Sequence, residues 1–496
     1  MLLLLYGILR AHNANNQLVV MEDNKVNDVP LFVDLDGTYT KTDLLFESFI
    51  LAFKKNPFII LNCFLWLTQG IANLKNQLSK ISKVDTKNLP LNQEFFSFLK
   101  QEKKKGRKIY LATASNEIYA KSIVDNTDIF HDYISSDKKT NLKGKEKLKK
   151  IKEISEVFSY AGNDLIDFEI FKEAHESILV NPSAVAIKQS KITPVDQTFD
   201  ISTVSGKTWA RQLRLHQWLK NLLILVPLLV SGSFTEIDSI FTIIAAFFSF
   251  SLLASSTYIL NDLVDLESDR SHARKKYRPL AAGLISIKSA ALVAASLFAT
   301  SILVALSLSY AFSLILFAYL SLTLFYSFKV KQYIGMDVVT LALLYTIRIL
   351  AGAAAINVAT SFWLLAFSIF IFLSLALVKR CSEIKSMEAE GKQLAKGRDY
   401  NIEDYAVLKS FGTSSAMLAL LMFCFYINNN VLTNQYQQPD ILWLIVPALC
   451  YWLMRMWIKT HRGEMHDDPI VFSLKDKGSL ITIGFCCLIA ITAQIL

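Results

Sequence analysis

The chain has 496 residues, 52% of them hydrophobic and 19% charged, with a formal net charge of +9. It is too long and too apolar for one soluble domain, so a membrane part joined to a soluble part is expected. The basic residues gather in alternate loops, which points to positive-inside bias and away from nucleic acid. The six cysteines show no paired spacing, which excludes a disulfide framework and a zinc site.

Residues 1–27 read as an N-terminal arm. Their apolar start lacks a basic flank and a small-residue cleavage site, so no signal peptide is expected. Residues 28–195 read as an α/β domain. A short strand at 31–33 ends in DLDGT (34–38), at the strand end where α/β sheets bind ligands. Two carboxylates two apart, followed by glycine, suit a nucleophile beside an acid/base, and a carboxylate can attack phosphorus. A second strand, 108–112, ends in Thr113, Ala114 and Ser115, which offer hydroxyls to a phosphate oxygen. NLKGKEK (141–147) opens a helix, and a third strand ends in GNDLID (162–167).

In this order the four motifs resemble the haloacid dehalogenase (HAD) phosphohydrolase superfamily. The resemblance implies a Rossmann-like fold with Asp34 as nucleophile and Asp36 as general acid/base. Asp34 and the main chain of Asp36 would contact Mg²⁺, and Asp167 would complete the metal site. Thr113 would bind the phosphoryl group, with Ser115 as the alternative, and Lys147 would neutralise it, with Lys143 and Lys145 open as alternatives. The pattern departs at Asn163, where the first acid of the fourth motif is usual. Its amide oxygen or the neighbouring Asp164 would serve, or the site is weakened. Asp164 and Asp167 equally suit helix N-capping.

Residues 40–107 resemble a helical cap over this site. Within them PFIILNCFLWL (57–67) is too short to span a bilayer. It reads as a buried cap helix, the alternative being contact with a membrane surface. Residues 196–208 read as a linker.

From 209 to 496 an all-α polytopic domain of nine transmembrane helices is expected: 213–231, 239–260, 288–308, 310–328, 336–356, 361–379, 411–428, 440–457 and 478–496. The connections near 232–238, 357–360 and 429–439 contain no Lys or Arg, whereas the loop at 261–288 carries six. The soluble domain and that loop are therefore expected in the cytoplasm and the carboxyl terminus outside, in a bacterial inner membrane.

The uncharged run 239–260 ends in NDLVDLESD (261–269). On one helix Asn261, Asp265 and Asp269 would share a face, with Asp262 at its border. Like charges so placed need a cation, and hard oxygens suit Mg²⁺ with a diphosphate. Other stretches join this pattern: RLHQWLKN (214–221) with Lys220 and Asn221, KYRPLAAG (276–283) with Lys276 and Arg278, YSFKVK (326–331) with Lys329, and Asp337. Arg348 inside a span needs an anionic partner, and a substrate phosphate is a natural one.

The combination resembles UbiA-type intramembrane prenyltransferases. It departs from them at the sixth span, where most members carry a second Asp-rich motif and this chain has Lys379 and Arg380 followed by Glu383. Cations there would bind additional phosphate directly. With RLHQWLKN and MHDDPIVF (465–472), this resembles the decaprenyl-phosphate phosphoribosyltransferase branch. Asp467 and Asp468 would order the mouth of that site, without a catalytic role.

That branch implies a Mg²⁺-dependent enzyme moving 5-phosphoribose from phosphoribosyl pyrophosphate (PRPP) to a polyprenyl phosphate. Asp262, Asp265 and Asp269 would hold the metal, and Asn261, Lys220, Asn221, Lys276, Arg278, Lys329, Arg348, Lys379 and Arg380 would bind substrate. The HAD domain would then remove the 5-phosphate, giving a lipid-linked ribose for cell-surface arabinose. The partners are the bilayer, the lipid phosphate and PRPP, and a homo-oligomer is compatible. The alternative is prenyl transfer to an aromatic acceptor, with the HAD domain a non-catalytic module.

Overall fold

The computed structural model describes residues 29–138, 140–199, 204–389, 399–428, 436–465 and 468–495. The N-terminal arm and Asp467 lie outside them. Two compact units emerge: residues 1–212 with 259–292, and residues 213–258 with 293–496.

The first unit contains a six-stranded sheet: β1 (Leu31–Val33), β2 (Ile109–Asn116), β3 (Asp132–Ser136), β4 (Ser159–Gly162), β5 (Glu176–Val180) and β6 (Gln197–Phe199), in the order β3-β2-β1-β4-β5-β6. All pairings are parallel, and β1 lies between β2 and β4. Strand periodicity divides its side chains between two faces. Leu31 and Val33 pack with Phe95, Leu99 and Ile178, while Phe32 packs with Ala112, Ile151 and Tyr160. A strand covered on both faces reads as a continuous apolar run. The sixth strand, β6, falls within the segment expected to be linker; it pairs with β5.

Between β1 and β2 come α1 (Leu44–Lys55), α2 (Ile59–Thr68), α3 (Ile71–Ile81) and α4 (Gln93–Lys104). Phe95 and Leu99 tie α4 to the sheet, whereas α1 to α3 share a small core of Ala52, Ile59 and Leu78. The helix α2 departs from the expected burial. Ile59, Cys63 and Trp66 face that core, and Phe58, Leu61, Phe64 and Leu65 are exposed. The small cap core can cover only one face of it. Two further helices, α5 (Glu117–Asn126) and α6 (Lys145–Ile154), follow β2 and β3.

The helices of the polytopic part are α7 (Ile237–Val264), the short α8 (Leu266–Ser271), α9 (Ile287–Leu308), α10 (Tyr310–Phe328), α11 (Met336–Ala355), α12 (Phe362–Ala389), α13 (Tyr405–Ile427), α14 (Ile445–His461) and α15 (Lys477–Ile495). Among the described residues, eight helices are long and apolar enough to cross a membrane, or nine with one broken pair. That pair contains the expected first span, 213–231, in its second helix. It divides into Gly206–Gln212 and Leu215–Val230, with Arg214 left-handed at φ 53°. Buried hydroxyls pair across helices in the second unit, as Ser249 does with Ser301, and Ser374 with the Gly412 carbonyl. Such bonds satisfy polar groups where water is absent.

Candidate active sites

The sheet delivers Asp34 and Asp36 at the carboxyl end of β1, where the strand order reverses. Gly37 makes the turn at φ 85°, and a Cβ there would lie 2.1 Å from the Asn163 amide nitrogen, so glycine is required. Lys147, in the first turn of α6, is buried and places its ammonium 2.6 Å from Asp34 Oδ1. Lys143 and Lys145 are exposed; Lys143 precedes α6, and within it helical geometry turns Lys147 and not Lys145 toward the sheet. The Lys147 ammonium also donates to the Tyr160 hydroxyl at 2.9 Å, which donates to Asp167 Oδ1 at 2.9 Å. Asp167 Oδ2 accepts the Asn163 and Asp164 amides at 2.9 and 3.0 Å.

Asp164, a candidate metal ligand, is exposed and caps the following 3₁₀ turn through the Leu165 amide. Thr113 is fully buried, its hydroxyl accepting the Ser115 amide at 2.9 Å. The Ser115 hydroxyl donates to Asp36 Oδ2 at 2.6 Å. Burial pushes Asp34 up to about 6 against the pull of Lys147. Burial pushes Asp36 to about 7, with Asp43 adding to it and Ser115 opposing. A carboxyl so raised can carry the proton a leaving group needs.

The sequence gives no sign of Lys75, one of two lysines in α3. It reaches the Ala114 carbonyl at 2.6 Å and Asn141 Oδ1 at 3.1 Å, beside this centre. Burial lowers its pKa, while Asp36 and Asp43 oppose that. An open groove of about 670 Å³ lies between the start of α3 and Asn141.

The acidic stretch also belongs to the first unit. The helix α7 ends at Val264, and Asp265 takes φ −94° and ψ 9° before α8 begins. The expected common face is therefore interrupted. Arg278 Nη1 bridges Asp262 at 3.0 Å and Asp269 at 2.6 Å, whereas Asp265 faces Lys54 at 3.7 Å. Gln212 donates to Asp262 Oδ2 at 3.0 Å. Asp269 Oδ1 is buried with no hydrogen-bond partner. Arg278, expected to meet a substrate phosphate, instead supplies a positive charge between two carboxylates. The Lys275 ammonium stands 3.7 Å from Asp269 Oδ1, beyond hydrogen-bond reach, and the Asp262 and Asp269 carboxylates are hard oxygen donors of the kind that suits Mg²⁺. Among the described residues no three His, Cys, Asp or Glu side chains converge as a metal site. Lys276 lies over the Tyr277 ring at 5.3 Å, and Lys329 is exposed.

The second unit holds the remaining candidates. Arg348, expected to need a phosphate, finds neutral oxygens within the protein: Asn221 Oδ1 at 2.8 Å, the Leu344 carbonyl and the Tyr319 hydroxyl. Asn221 also donates to Ser251 at 2.9 Å. Arg380 is likewise engaged, by Asp337 at 2.5 Å and Glu383 at 2.6 Å, with Tyr326 at 3.1 Å. The Tyr400 hydroxyl donates to the other Asp337 oxygen at 2.5 Å. These two arginines organise the helix interior. Lys220 pairs with Asp468. Burial pushes the Asp468 carboxyl up, but Lys220 and Lys379 outweigh it and hold it below the usual range. Asp468 also caps the helix Pro469–Ser473. Lys379 makes no hydrogen bond or ion pair with any described residue.

Residues 223–476 match the UbiA prenyltransferase family. The protein y4nM of Sinorhizobium fredii is 34% identical over 491 residues, which cover 96% of this chain and 94% of that one. The nodulation protein NoeC of Azorhizobium caulinodans is 31% identical over 280 residues, 56% of this chain and 90% of its own. The decaprenyl-phosphate phosphoribosyltransferase of Mycobacterium tuberculosis is 32% identical over 217 residues, 43% of this chain and 71% of its own.

Proposed function

Because the chain belongs to the UbiA prenyltransferase family and is an integral membrane transferase, we propose that it transfers 5-phosphoribose from PRPP to a polyprenyl phosphate, and that its N-terminal α/β domain is a HAD-type phosphatase. The observation that carries this reading is Lys379. An ammonium that makes no hydrogen bond or ion pair among the described residues, beside the Lys220–Asp468 pair, suits a further phosphate on the substrate. Relatives named decaprenyl-phosphate phosphoribosyltransferase support phosphoribosyl transfer to a polyprenyl phosphate.

Asp262 and Asp269 would hold Mg²⁺, with Asp265 as a further candidate. Bound there, it supplies neutralising charge for the departing diphosphate. An oxygen of the lipid phosphate attacks the anomeric carbon as the bond to diphosphate breaks. The acceptor is already ionised, so positioning and charge stabilisation carry the rate.

The HAD domain then removes the 5-phosphate. Asp34 attacks phosphorus, and the ribose 5-oxygen leaves with the proton held by Asp36. Water, losing its proton to Asp36, releases phosphate from Asp34. Lys147 balances charge at Asp34, and Thr113 offers its hydroxyl to the phosphoryl group. The carboxylates and the Asn163 amide form a hard-oxygen set that suits Mg²⁺ there as well. In this reading both centres face the cytoplasm of a bacterium, the carboxyl terminus lies outside, and the product feeds cell-surface glycan synthesis.

The test uses membranes carrying the full chain, with labelled PRPP and polyprenyl phosphate, with and without Mg²⁺. Label should enter the lipid fraction only with Mg²⁺, and Asp34→Asn should leave the 5-phosphate in place. Labelling from prenyl diphosphate and not from PRPP would overturn the transfer reading. Unchanged loss of phosphate in Asp34→Asn would overturn the second step.

A further inference from the structure

The outer face of α2 is unusual for a water-facing cap. Phe58, Leu61 and Leu65 project outward at helical spacing with Phe64, and they are 75%, 64%, 64% and 66% exposed. Ile60, Leu67 and Ile71 extend the patch. From residue 56 to 71 there is no charged side chain, and Lys54 and Lys55 stand immediately before. Contiguous apolar surface of this kind marks an interaction site.

The same unit indicates what covers it. The Lys54 ammonium lies 3.1 Å from the carbonyl of Val264, the last residue of the membrane-crossing helix α7, and 3.7 Å from Asp265. Only three residues separate Lys54 from Phe58, so α2 starts close to the point where a span ends. Ten residues make a helix of about 15 Å, half of what a hydrocarbon core requires, so α2 cannot cross it. An uncharged apolar face beside a pair of lysines matches the boundary between headgroups and acyl chains.

We propose that α2 is an interfacial helix, seated through Phe58, Leu61, Phe64 and Leu65 in the surface of the bilayer that this chain spans. The contact does not depend on the identity of either substrate. If the phosphatase reading holds, it has a consequence. The groove beside Gln69, Gly70 and Ile71 opens at the end of α2 and reaches Asn141, the partner of Lys75. A lipid-linked phosphate would then approach the HAD centre along the membrane surface.

The test places an environment-sensitive fluorescent amino acid at Leu61 or Phe64 of the full chain in lipid nanodiscs. Ile192, 77% exposed in the same unit, is the reference position. Brominated lipid should quench positions 61 and 64 several-fold more than 192, and aqueous iodide should show the reverse order. Iodide quenching at 61 and 64 equal to that at 192, with no effect of brominated lipid, overturns the proposal. Shielding from both quenchers means that protein, such as a second copy of this chain, covers the face, and it overturns the proposal too. Agreement between two label positions guards against one label disturbing the helix.

Discussion

Arg270 meets both carboxylate oxygens of Glu47, at 2.8 and 2.7 Å, with the two side chains 7% and 5% exposed. Arg270 follows Asp269 of the acidic turn, and Glu47 lies in the first turn of α1, just beyond the DLDGT loop. Thr42 donates its hydroxyl to the same carboxylate. One buried pair thus ties the turn that carries Asp262 and Asp269 to the segment that carries Asp34 and Asp36. Gly283 adds a second tie, since a Cβ on it would lie 2.6 Å from the Lys41 side chain.

Removing one partner strands the other charge without water. Glu47→Ala and Arg270→Ala should each destabilise the protein by about 3–5 kcal/mol. The double variant should lose clearly less than the sum. Thermal unfolding of the detergent-solubilised chain, read as a double-mutant cycle, checks this. Additive losses would mean that the two residues are not coupled.

Lys147 is the cation at Asp34. Replacing it with methionine should lower release of phosphate from the lipid product about 100-fold or more, as for the loss of a positioned charge in a buried site. Labelling of lipid from PRPP should remain within about twofold, because in the proposed sequence of steps Lys147 serves only the second. A parallel loss of both activities would count against two separate centres.

Lys379 and Arg380 are neighbours in sequence with different environments. Arg380→Met should strand Asp337, which is fully buried, and cost about 3–5 kcal/mol of stability. Lys379→Met should leave the unfolding midpoint within a few degrees and raise the KM for PRPP about tenfold, the value of one charged phosphate contact. Equal effects on stability would remove the distinction.

A third buried network answers to pH. Arg107 contacts Glu102 at 2.8 Å and Glu176 at 2.9 Å. Burial alone would raise Glu102, but hydrogen bonds from Lys105 and Arg107 outweigh it and hold its pKa below the ordinary 4.5. A carboxyl depressed by folding contributes stability above its unfolded value and loses it as pH falls through the folded one. The unfolding midpoint should therefore drop as pH goes below 4.5. Arg107→Met should unfold earlier at neutral pH and show a shallower fall in acid.

Much of this molecule is legible one segment at a time. Apolar runs of 18 or more residues mark the spans, and an apolar strand ending in DLDGT marks the head of the sheet. The acids at 261–269 and the departure at Lys379 and Arg380 need no tertiary information either. All of these depend on neighbours within a few positions, where helix and strand periods decide which side chains share a face. Long-range pairing is not written in that code. Only the folded sheet decides that Lys147, and not Lys143 or Lys145, reaches Asp34 across 113 positions of sequence. Only the fold brings Arg278 between Asp262 and Asp269, across the break at Asp265. Arg348 inside a span and Arg380 at the end of one both read as cations awaiting phosphate, yet Asn221 and Asp337, 127 and 43 residues away, already meet them. Whether an apolar helix such as α2 is covered is a question of how much core its neighbours provide, and that is settled by packing in three dimensions.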